Sequence, residues 1–209
     1  MKRLALFLLF ASSAFACGTE RWAVKTSADQ DAAKVNLTPI FANIADLNAI
    51  RPPARAQLDA KPDSRFPEEL KTYRVRGYLV GFKLETDEDF HIVIAEFDPQ
   101  QKITMIVEMP SENCVPAELR NDSELLRASW QTRFGKATAK FKNLAAHKII
   151  VEITGIGFFD FIHGQTGVAK NGFELHRVIG WKEIFTAVPN SSYPVQPSSR
   201  RFALHRAES

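Results

Sequence analysis

The sequence predicts a mainly β protein built around one small barrel. Five runs rich in β-branched and aromatic residues have the length of strands, and turn residues separate them. A single amphipathic helix is predicted between the third and fourth runs. The order strand–strand–strand–helix–strand–strand is that of the OB-fold, a five-stranded Greek-key barrel. An irregular β-sandwich is the competing architecture, and one helix at this point in the order favours the barrel.

The five predicted strands lie between residues 73 and 181. They are Tyr73–Leu84, Phe90–Phe97, Lys102–Met109, Lys148–Phe159 and Phe173–Trp181. Gly77 and Gly81 in the first strand predict bends or bulges, as expected of a strongly curled barrel strand.

Alternation along the fifth strand predicts which of its side chains face the core. The inward set is Leu175, Arg177, Ile179 and Trp181. This pattern leaves Glu174 and His176 outside the barrel, unless a bulge at Gly172 or Gly180 reverses it.

The helix is predicted to begin at Asn121, whose side chain can cap it, with Glu124 completing a capping box. Its core-facing side chains recur every four residues, at Leu126, Trp130 and Phe134. Gly135 is predicted to follow its end in a left-handed conformation.

Residues 17–72 are predicted to form an N-terminal extension, and residues 73–185 the barrel domain. A capping box over Ser27–Gln30 predicts a short helix from Ala28 to Val35, and Pro39 ends it. The spacing of Ile44, Leu47 and Ile50 predicts a second short helix. Residues 51–69 carry four prolines and are predicted to be a surface linker. Residues 186–209, which mix proline, serine and arginine, are predicted to be a flexible tail.

Residues 1–16 have the pattern of a signal peptide. Lys2 and Arg3 precede the apolar run Leu4–Phe10, and Ala14, Phe15 and Ala16 fit a small-x-small cleavage site. No later segment is apolar over about 18 residues, the length that a membrane helix needs. The sequence therefore predicts an exported protein, periplasmic or secreted, without a membrane-spanning segment.

The charge of the exported chain is close to neutral. Removing Lys2 and Arg3 leaves 25 basic residues (27 − 2) against 24 acidic ones. Nucleic-acid binders usually carry a strong basic excess. Arginines and lysines do lie among aromatic residues along the strands, as in proteins that bind single-stranded nucleic acid. A phenylalanine-rich core beneath a charged surface explains the same residues, and the near-neutral charge favours that explanation.

The chain has two cysteines, Cys17 and Cys114, and Cys17 becomes the first residue if cleavage follows Ala16. Two cysteines in an oxidising compartment predict one disulfide, Cys17–Cys114. Lipid attachment at Cys17 is the alternative, because lipoproteins are cleaved just before a cysteine. The leucine usually found three residues upstream is replaced by Ala14, which favours the disulfide.

Two polar loops form the candidate binding rim of the predicted barrel. OB-folds bind ligands with the face of strands 2 and 3 and with the loops between strands 1–2 and 4–5. Here those loops are Glu85–Asp89 and Phe161–Gly172. The candidate binding residues in and beside them are Asp87, Asp89, His91, His163, Gln165, Asn171, Glu174 and His176.

Carboxylate and imidazole groups in this rim suit a divalent metal ion. Asp87, Asp89 and His91 alternate along an extended chain, so their side chains point the same way. The candidate ligand set across both loops is Asp87, Asp89, His163 and His176. The alternative is that both loops are structural. The first is then an acidic hairpin turn, and the conformation of the second is set by its glycines and by the Asn171-Gly172 turn.

Several phrases of the sequence resemble an uncharacterised family of exported bacterial proteins. They cover residues 22–36, 83–94, 104–114 and 155–178, and include KLETDEDFHIVI and HGQTGVAKNGFELH. The chain departs from the family at Lys170 and Arg177, where the family has proline. This resemblance implies export and a compact domain, but no reaction. The acidic turn also resembles the metal-binding turn of secreted thermonucleases, which are OB-folds, without their arginines.

Three functions follow as hypotheses. The first is a non-catalytic exported module that binds a ligand or an envelope protein at the rim formed by these two loops. The second is a metal-dependent hydrolase of the phosphodiesterase or nuclease type, in which a metal ion held by Asp87, Asp89 and a histidine activates water. The third is a structural envelope protein. No serine-hydrolase elbow, P-loop, dinucleotide fingerprint or H-E-x-x-H motif assigns a reaction, and the hydrolase requires the two loops to meet.

Overall fold

A computed structural model describes residues 17–185, apart from residues 19 and 99. The signal peptide predicted over residues 1–16 and the tail predicted over 186–209 lie outside the described residues. The helices are α1 Trp22–Thr26, α2 Ile44–Asn48, α3 Arg55–Asp59 and α4 Arg120–Phe134. The strands are β1 Asn36–Phe41, β2 Lys71–Leu84, β3 Phe90–Ala95, β4 Thr104–Met109, β5 Lys142–Asn143, β6 Ile150–Phe159 and β7 Phe173–Ile184. Among the helices so described, none is long and apolar enough to cross a membrane.

Five of the strands close into a barrel, which confirms the predicted fold class. They follow one another around the ring in the order β2, β3, β4, β7 and β6, and β6 pairs again with β2. Neighbours in the ring are antiparallel except β4 and β7, which are parallel. The remaining two strands, β1 and β5, add to β2 outside the ring.

The long first barrel strand bends to pair with two neighbours. Residues 72–78 of β2 pair with β6, and residues 78–84 pair with β3. The register with β3 shifts between Leu79 and Gly81, in agreement with the bend predicted there. A Cβ atom at Gly81 would lie 2.3 Å from the carbonyl oxygen of Lys142, so only glycine allows β5 to approach so closely.

The barrel interior is apolar, because alternate side chains of each strand point inward. Its members on β3, β4 and β7 are Phe90, Ile92, Ile94, Met105, Val107, Met109, Phe173, Leu175 and Val178. Helix α4 closes one end, where the ring of Trp130 packs edge-on against Phe82 with centroids 5.7 Å apart. Burial of each large aliphatic or phenylalanine side chain in this interior stabilises the fold by roughly 1.5–3 kcal/mol.

Helix α4 begins earlier than predicted. A 3-10 turn over Ala117–Leu119 leads directly into it, and no side chain caps its first turn. The predicted cap at Asn121 is therefore wrong, because the chain after Pro116 is already helical when it reaches Asn121. Gly135 follows the helix with a positive φ of 88°, as predicted, but its ψ of 171° is extended rather than left-handed helical.

The N-terminal extension contains more structure than predicted, and in different places. The helix expected over residues 28–35 is wrong: α1 ends before Ser27, whose φ is 60°, and only a 3-10 turn over Ala32–Lys34 follows. Tertiary contacts override the local signal, because the Arg65 side chain holds both the Asp29 carboxylate and the Val24 carbonyl. The second predicted helix corresponds to α2, whereas β1 and α3 were not predicted.

Candidate functional site

The outer face of β3, β4 and β7 carries a row of ionisable side chains. Strand register pairs His91 with Glu108, and Glu108 with His176. Because residues of one register row share a face, the three side chains lie side by side across the sheet. Their exposed fractions are only 1%, 7% and 0%. An outer face this buried must be covered by other parts of the chain.

The cover consists of two elements, α1 and the loop between β6 and β7. The Lys25 carbonyl oxygen of α1 accepts a hydrogen bond from His176 Nδ1 at 3.0 Å. The Thr166 carbonyl oxygen of the loop accepts one from His91 Nε2 at 2.8 Å. The loop lies flat on the sheet at Gly167, whose φ is 83° and where a Cβ atom would lie 2.3 Å from Val93 Cγ1.

The described residues of 17–31, which we term the N-terminal segment, are fixed by a covalent link to the barrel domain and by ionic links to residues 65 and 69, which lead into β2. The predicted disulfide is present and joins Cys17 to Cys114. Arg21 pairs with Glu69 at 2.8 Å, and Arg65 pairs with Asp29 at 2.7 Å. Both ion pairs are buried. These links hold α1 over the ionisable row.

His176 lies at the β7 end of the row, in contact with two carboxylates. Its Nε2 atom is 3.0 Å from Asp89 Oδ2 and 3.0 Å from Glu108 Oε2. Burial alone would lower the pKa of His176, but its contacts with Asp89 and Glu108 raise that pKa to about 9. The imidazole ring therefore lies in a field that strongly favours positive charge at Nε2.

Glu108 joins the two histidines. Its second oxygen, Oε1, lies 2.9 Å from His91 Nδ1. Burial would raise the pKa of Glu108, yet the contacts with His176 and His91 hold it well below its usual range. Both ring nitrogens of His91 face oxygen acceptors, and despite burial the contact with Glu108 raises the pKa of His91.

The row continues to a second pair of carboxyl groups. The Lys25 ammonium lies 3.3 Å from Asp160 Oδ2, and the surrounding carboxylates raise the pKa of Lys25 although burial opposes this. Neither oxygen of Glu174 meets a hydrogen-bond partner in the part of the chain that the structure describes. Burial first, and then the neighbouring Asp160 and Glu108, raise the pKa of Glu174 well above its usual range.

The structure brings together some of the residues that the sequence suggested as a metal site. Asp89, from the first predicted rim loop, is in contact with His176, which lies on β7 shortly after the second loop. Asp87 lies half-buried at the margin, where its Oδ1 accepts a 3.3 Å hydrogen bond from the Asp89 backbone. His163 is exposed and does not join the cluster. The third member of the cluster is Glu108 instead.

Glu108 was missed because a single acid within TMIVEM has the pattern of a solvent-facing position in a half-buried strand. The alternation of the strand did indicate its position. Glu108 lies between the inward residues Val107 and Met109, so it must be on the outer face together with its cross-strand neighbours. Only the strand register shows that those neighbours are His91 and His176.

The fifth barrel strand follows its predicted alternation only in part. Glu174 and His176 do lie on the outer face, but they are buried by the cover. The predicted inward positions of Arg177 and Ile179 are wrong, because the register between β6 and β7 shifts near Gly155 and places Val178 in the core. Arg177 contacts Ser27 of the N-terminal segment instead, through Nε at 3.4 Å.

Two of the predicted rim residues hold loops in place. Gln165 donates from Nε2 to the Phe161 carbonyl at 2.7 Å, and its Oε1 accepts from the His163 backbone at 3.0 Å. Asn171 is buried, and its Nδ2 donates to the Leu47 and Ile50 carbonyls at 2.8 and 2.9 Å. These contacts agree with the alternative that the polar residues of this loop fix its backbone rather than bind a ligand.

Asn171→Ala is expected to lower the free energy of unfolding by about 1–3 kcal/mol, because it removes both of these hydrogen bonds and the one that Asn171 Oδ1 accepts from the Phe173 backbone at 3.0 Å. Urea denaturation followed by tryptophan fluorescence measures this change. Lys170→Ala removes an exposed neighbouring side chain and is the matched control, with little expected effect. Equal losses for the two variants would contradict the assigned role of Asn171.

No family model and no curated protein matches the chain. A matching solved structure is that of a protein described as an aspartyl-tRNA synthetase from Leishmania major Friedlin, with 10% sequence identity and a TM-score of 0.37. The match covers 76% of this chain but only 23% of that chain. A similarity this weak carries no argument about function.

Proposed function

We propose that the protein is an exported, non-catalytic binding module that docks a protein partner through the surface around β1. The partner surface would combine apolar and acidic side chains. The Cys17–Cys114 disulfide supports export, because such bonds persist in oxidising compartments.

The usual binding face of an OB-fold is not free in this protein. That face, strands 2 and 3 of the barrel, corresponds to β3 and β4. The N-terminal segment and the loop between β6 and β7 cover its ionisable row. A partner must therefore bind a different part of the barrel surface, and the surface around β1 and β2 is one such part.

The observation that carries the proposal is the cluster of large apolar side chains exposed on β1. Leu37, Ile40 and Phe41 are 58%, 48% and 67% exposed on this strand of six residues. Large apolar side chains exposed together on one short strand indicate a candidate interaction site. Phe41 and Phe97 also line a groove of about 410 Å³ together with Arg74 and Arg76.

The sheet beside this groove carries excess positive charge. Arg74, Arg76 and Lys182 all lie within 4.0 Å of the Glu152 carboxylate, at 3.9, 2.6 and 3.0 Å. Three cations thus share the Glu152 carboxylate, and Asp46 also lines the groove, so one positive charge remains in excess (3 − 2). Arginine and aromatic residues are the types enriched at protein interfaces, and acidic groups on a partner would complement this charge.

A hydrolase is less well supported, although Asp89 of the first loop and His176 of β7 are in contact. A catalytic metal needs an open coordination position that faces a cleft. Asp89, Glu108 and His176 lie instead beneath α1, with at most 7% of any of them exposed. This arrangement suits the retention of a charge or an ion rather than turnover of a substrate.

Site-specific photo-crosslinking tests the proposed docking surface. A photoreactive phenylalanine analogue at position 41, in the full chain produced in its native host, is expected to give one discrete adduct with another protein. The same analogue at Leu125, which is 61% exposed on α4, is the matched control and is expected to give none. Replacing Arg74 and Arg76 by glutamate should reduce the adduct from position 41 at least severalfold, because both charges reverse.

Three outcomes would contradict the proposal. The first is the same set of adducts from positions 41 and 125, and the second is no adduct from position 41. An adduct of twice the chain mass would assign the surface to self-association instead of a different protein partner.

A further inference from the structure

We propose that Asp89, Glu108 and His176 hold one divalent transition-metal ion, with zinc as the first choice, between the barrel face and the N-terminal segment. This site is independent of the docking surface proposed above. It also differs from the set that the sequence suggested, because it includes Glu108 and excludes Asp87 and His163.

The separations of the polar atoms fit a shared ion. Metal–ligand bonds of about 2.0–2.2 Å place adjacent ligand atoms roughly 3.0–3.5 Å apart. His176 Nε2 lies 3.0 Å from both Asp89 Oδ2 and Glu108 Oε2. One ligand atom from each of the three side chains falls within 4.8 Å of the other two.

The tautomer of His176 requires a positive charge at this point. The Lys25 carbonyl only accepts hydrogen bonds, so His176 Nδ1 carries a hydrogen. In the neutral ring, Nε2 then directs a lone pair toward two carboxylate oxygens. A proton on Nε2 satisfies one of these oxygens along its N–H direction, whereas a metal ion is bound by all three side chains.

Each candidate ligand is also oriented by a hydrogen bond at its other polar atom. Asp89 Oδ1 accepts from the Ser111 backbone at 3.2 Å. Glu108 Oε1 contacts His91 Nδ1 at 2.9 Å, and His176 Nδ1 donates to the Lys25 carbonyl. Such contacts fix the direction of ligand atoms, and they accompany metal-binding histidines and carboxylates almost universally.

A further carboxylate lies in the same buried cluster without a partner. Glu174 is 1% exposed, and neither of its oxygens meets a hydrogen-bond donor among the described residues. It shares the outer face of β7 with His176, two residues later. The cluster thus places four carboxyl groups (Asp89, Glu108, Asp160 and Glu174) against two cationic side chains, Lys25 and His91. A divalent ion bound by Asp89, Glu108 and His176 would add positive charge among these carboxyl groups.

The donor atoms select the class of metal. One imidazole nitrogen with two carboxylate oxygens suits zinc and neighbouring transition metals, whereas calcium and magnesium prefer oxygen donors alone. Because the ligands lie under the N-terminal segment, we expect the ion to enter during folding and to exchange slowly in the native protein.

Metal stoichiometry tests the site. The full exported chain is unfolded in a chelator with its disulfide intact, refolded with one equivalent of zinc, desalted and analysed for bound metal. We expect one zinc ion per chain in the wild type. Glu108→Gln and Asp89→Asn preserve side-chain shape and are each expected to weaken zinc binding by more than roughly a hundredfold, since removal of supporting residues alone costs ten- to a hundredfold.

His163→Ala is the matched control, since it removes an exposed histidine from the covering loop and should leave one zinc ion per chain. Near-ultraviolet circular dichroism of the buried Trp130 confirms that each variant is folded. Cobalt in place of zinc reports the ligands through its visible spectrum, and this spectrum should change in Glu108→Gln.

A folded wild-type chain that retains less than about a tenth of an equivalent of zinc or cobalt would overturn the proposal. In that case a proton at His176 Nε2 supplies the positive charge beside the Asp89 and Glu108 carboxylates. Loss of metal in His163→Ala to the same extent as in Glu108→Gln would overturn it as well.

Discussion

Removal of the Cys17–Cys114 disulfide is expected to lower the free energy of unfolding by about 4–5 kcal/mol. The bond joins residues separated by 97 positions. In the chain-entropy account, a cross-link that closes a loop of about 100 residues stabilises the folded state by roughly 4.7 kcal/mol. Guanidinium denaturation of the oxidised wild type and of the Cys17→Ser, Cys114→Ser double variant measures the difference.

The structure also predicts which part of the protein loses stability first when the disulfide is removed. The N-terminal segment lies over the ionisable row, and the disulfide is its only covalent link to the barrel apart from the chain itself among the described residues. Backbone amides of α1 should therefore exchange with solvent hydrogen much faster in the double variant than those in the centre of β6. Reduced wild-type protein should behave as the double variant does. A loss below about 1 kcal/mol, or uniform faster exchange, would contradict the assigned role of the bond.

The barrel could be predicted from the sequence because its signals are local. The strand-like runs, the turns between them and the stripe of Trp130 and Phe134 on α4 each depend on nearby residues, and the observed topology agrees with them. Gly81 shows the same point at the level of one residue, because a glycine within an apolar run already indicates a bend.

The cover over the barrel could not be predicted, because it depends on contacts between distant residues. Ser27 and Gln30 have the spacing of a capping box, but Ser27 instead ends α1 with a positive φ. Glu108 looks like a surface residue until β3 and β7 place histidines on either side of it. The sequence suggested a site formed where two loops meet, whereas Glu108 and His176 both lie on strands outside those loops.

Arg65→Met is expected to destabilise the protein by about 3–5 kcal/mol, the usual cost of breaking a buried ion pair from one side. The Arg65 and Asp29 side chains are both 0% exposed, and their charged atoms lie 2.7 Å apart. The Arg65 guanidinium also donates to the Glu69 and Val24 carbonyls at 3.1 and 3.0 Å. Its loss leaves a buried carboxylate and two buried carbonyls without this donor, so most of the cost comes from uncompensated desolvation.

Two further variants separate this cost from the loss of side-chain volume. Adding Asp29→Asn to Arg65→Met removes the unpaired charge, so the double variant should be more stable than the sum of the two single losses predicts. Arg55→Met breaks the Arg55–Asp59 pair, whose side chains are 65% and 54% exposed, and removes the guanidinium that lies 3.8 Å from the Phe161 ring centroid. Both contacts are weak, so the variant should cost about 2 kcal/mol or less. If Arg65→Met and Arg55→Met gave equal shifts in the denaturation midpoint, Arg65 would not be what holds the N-terminal segment on the barrel.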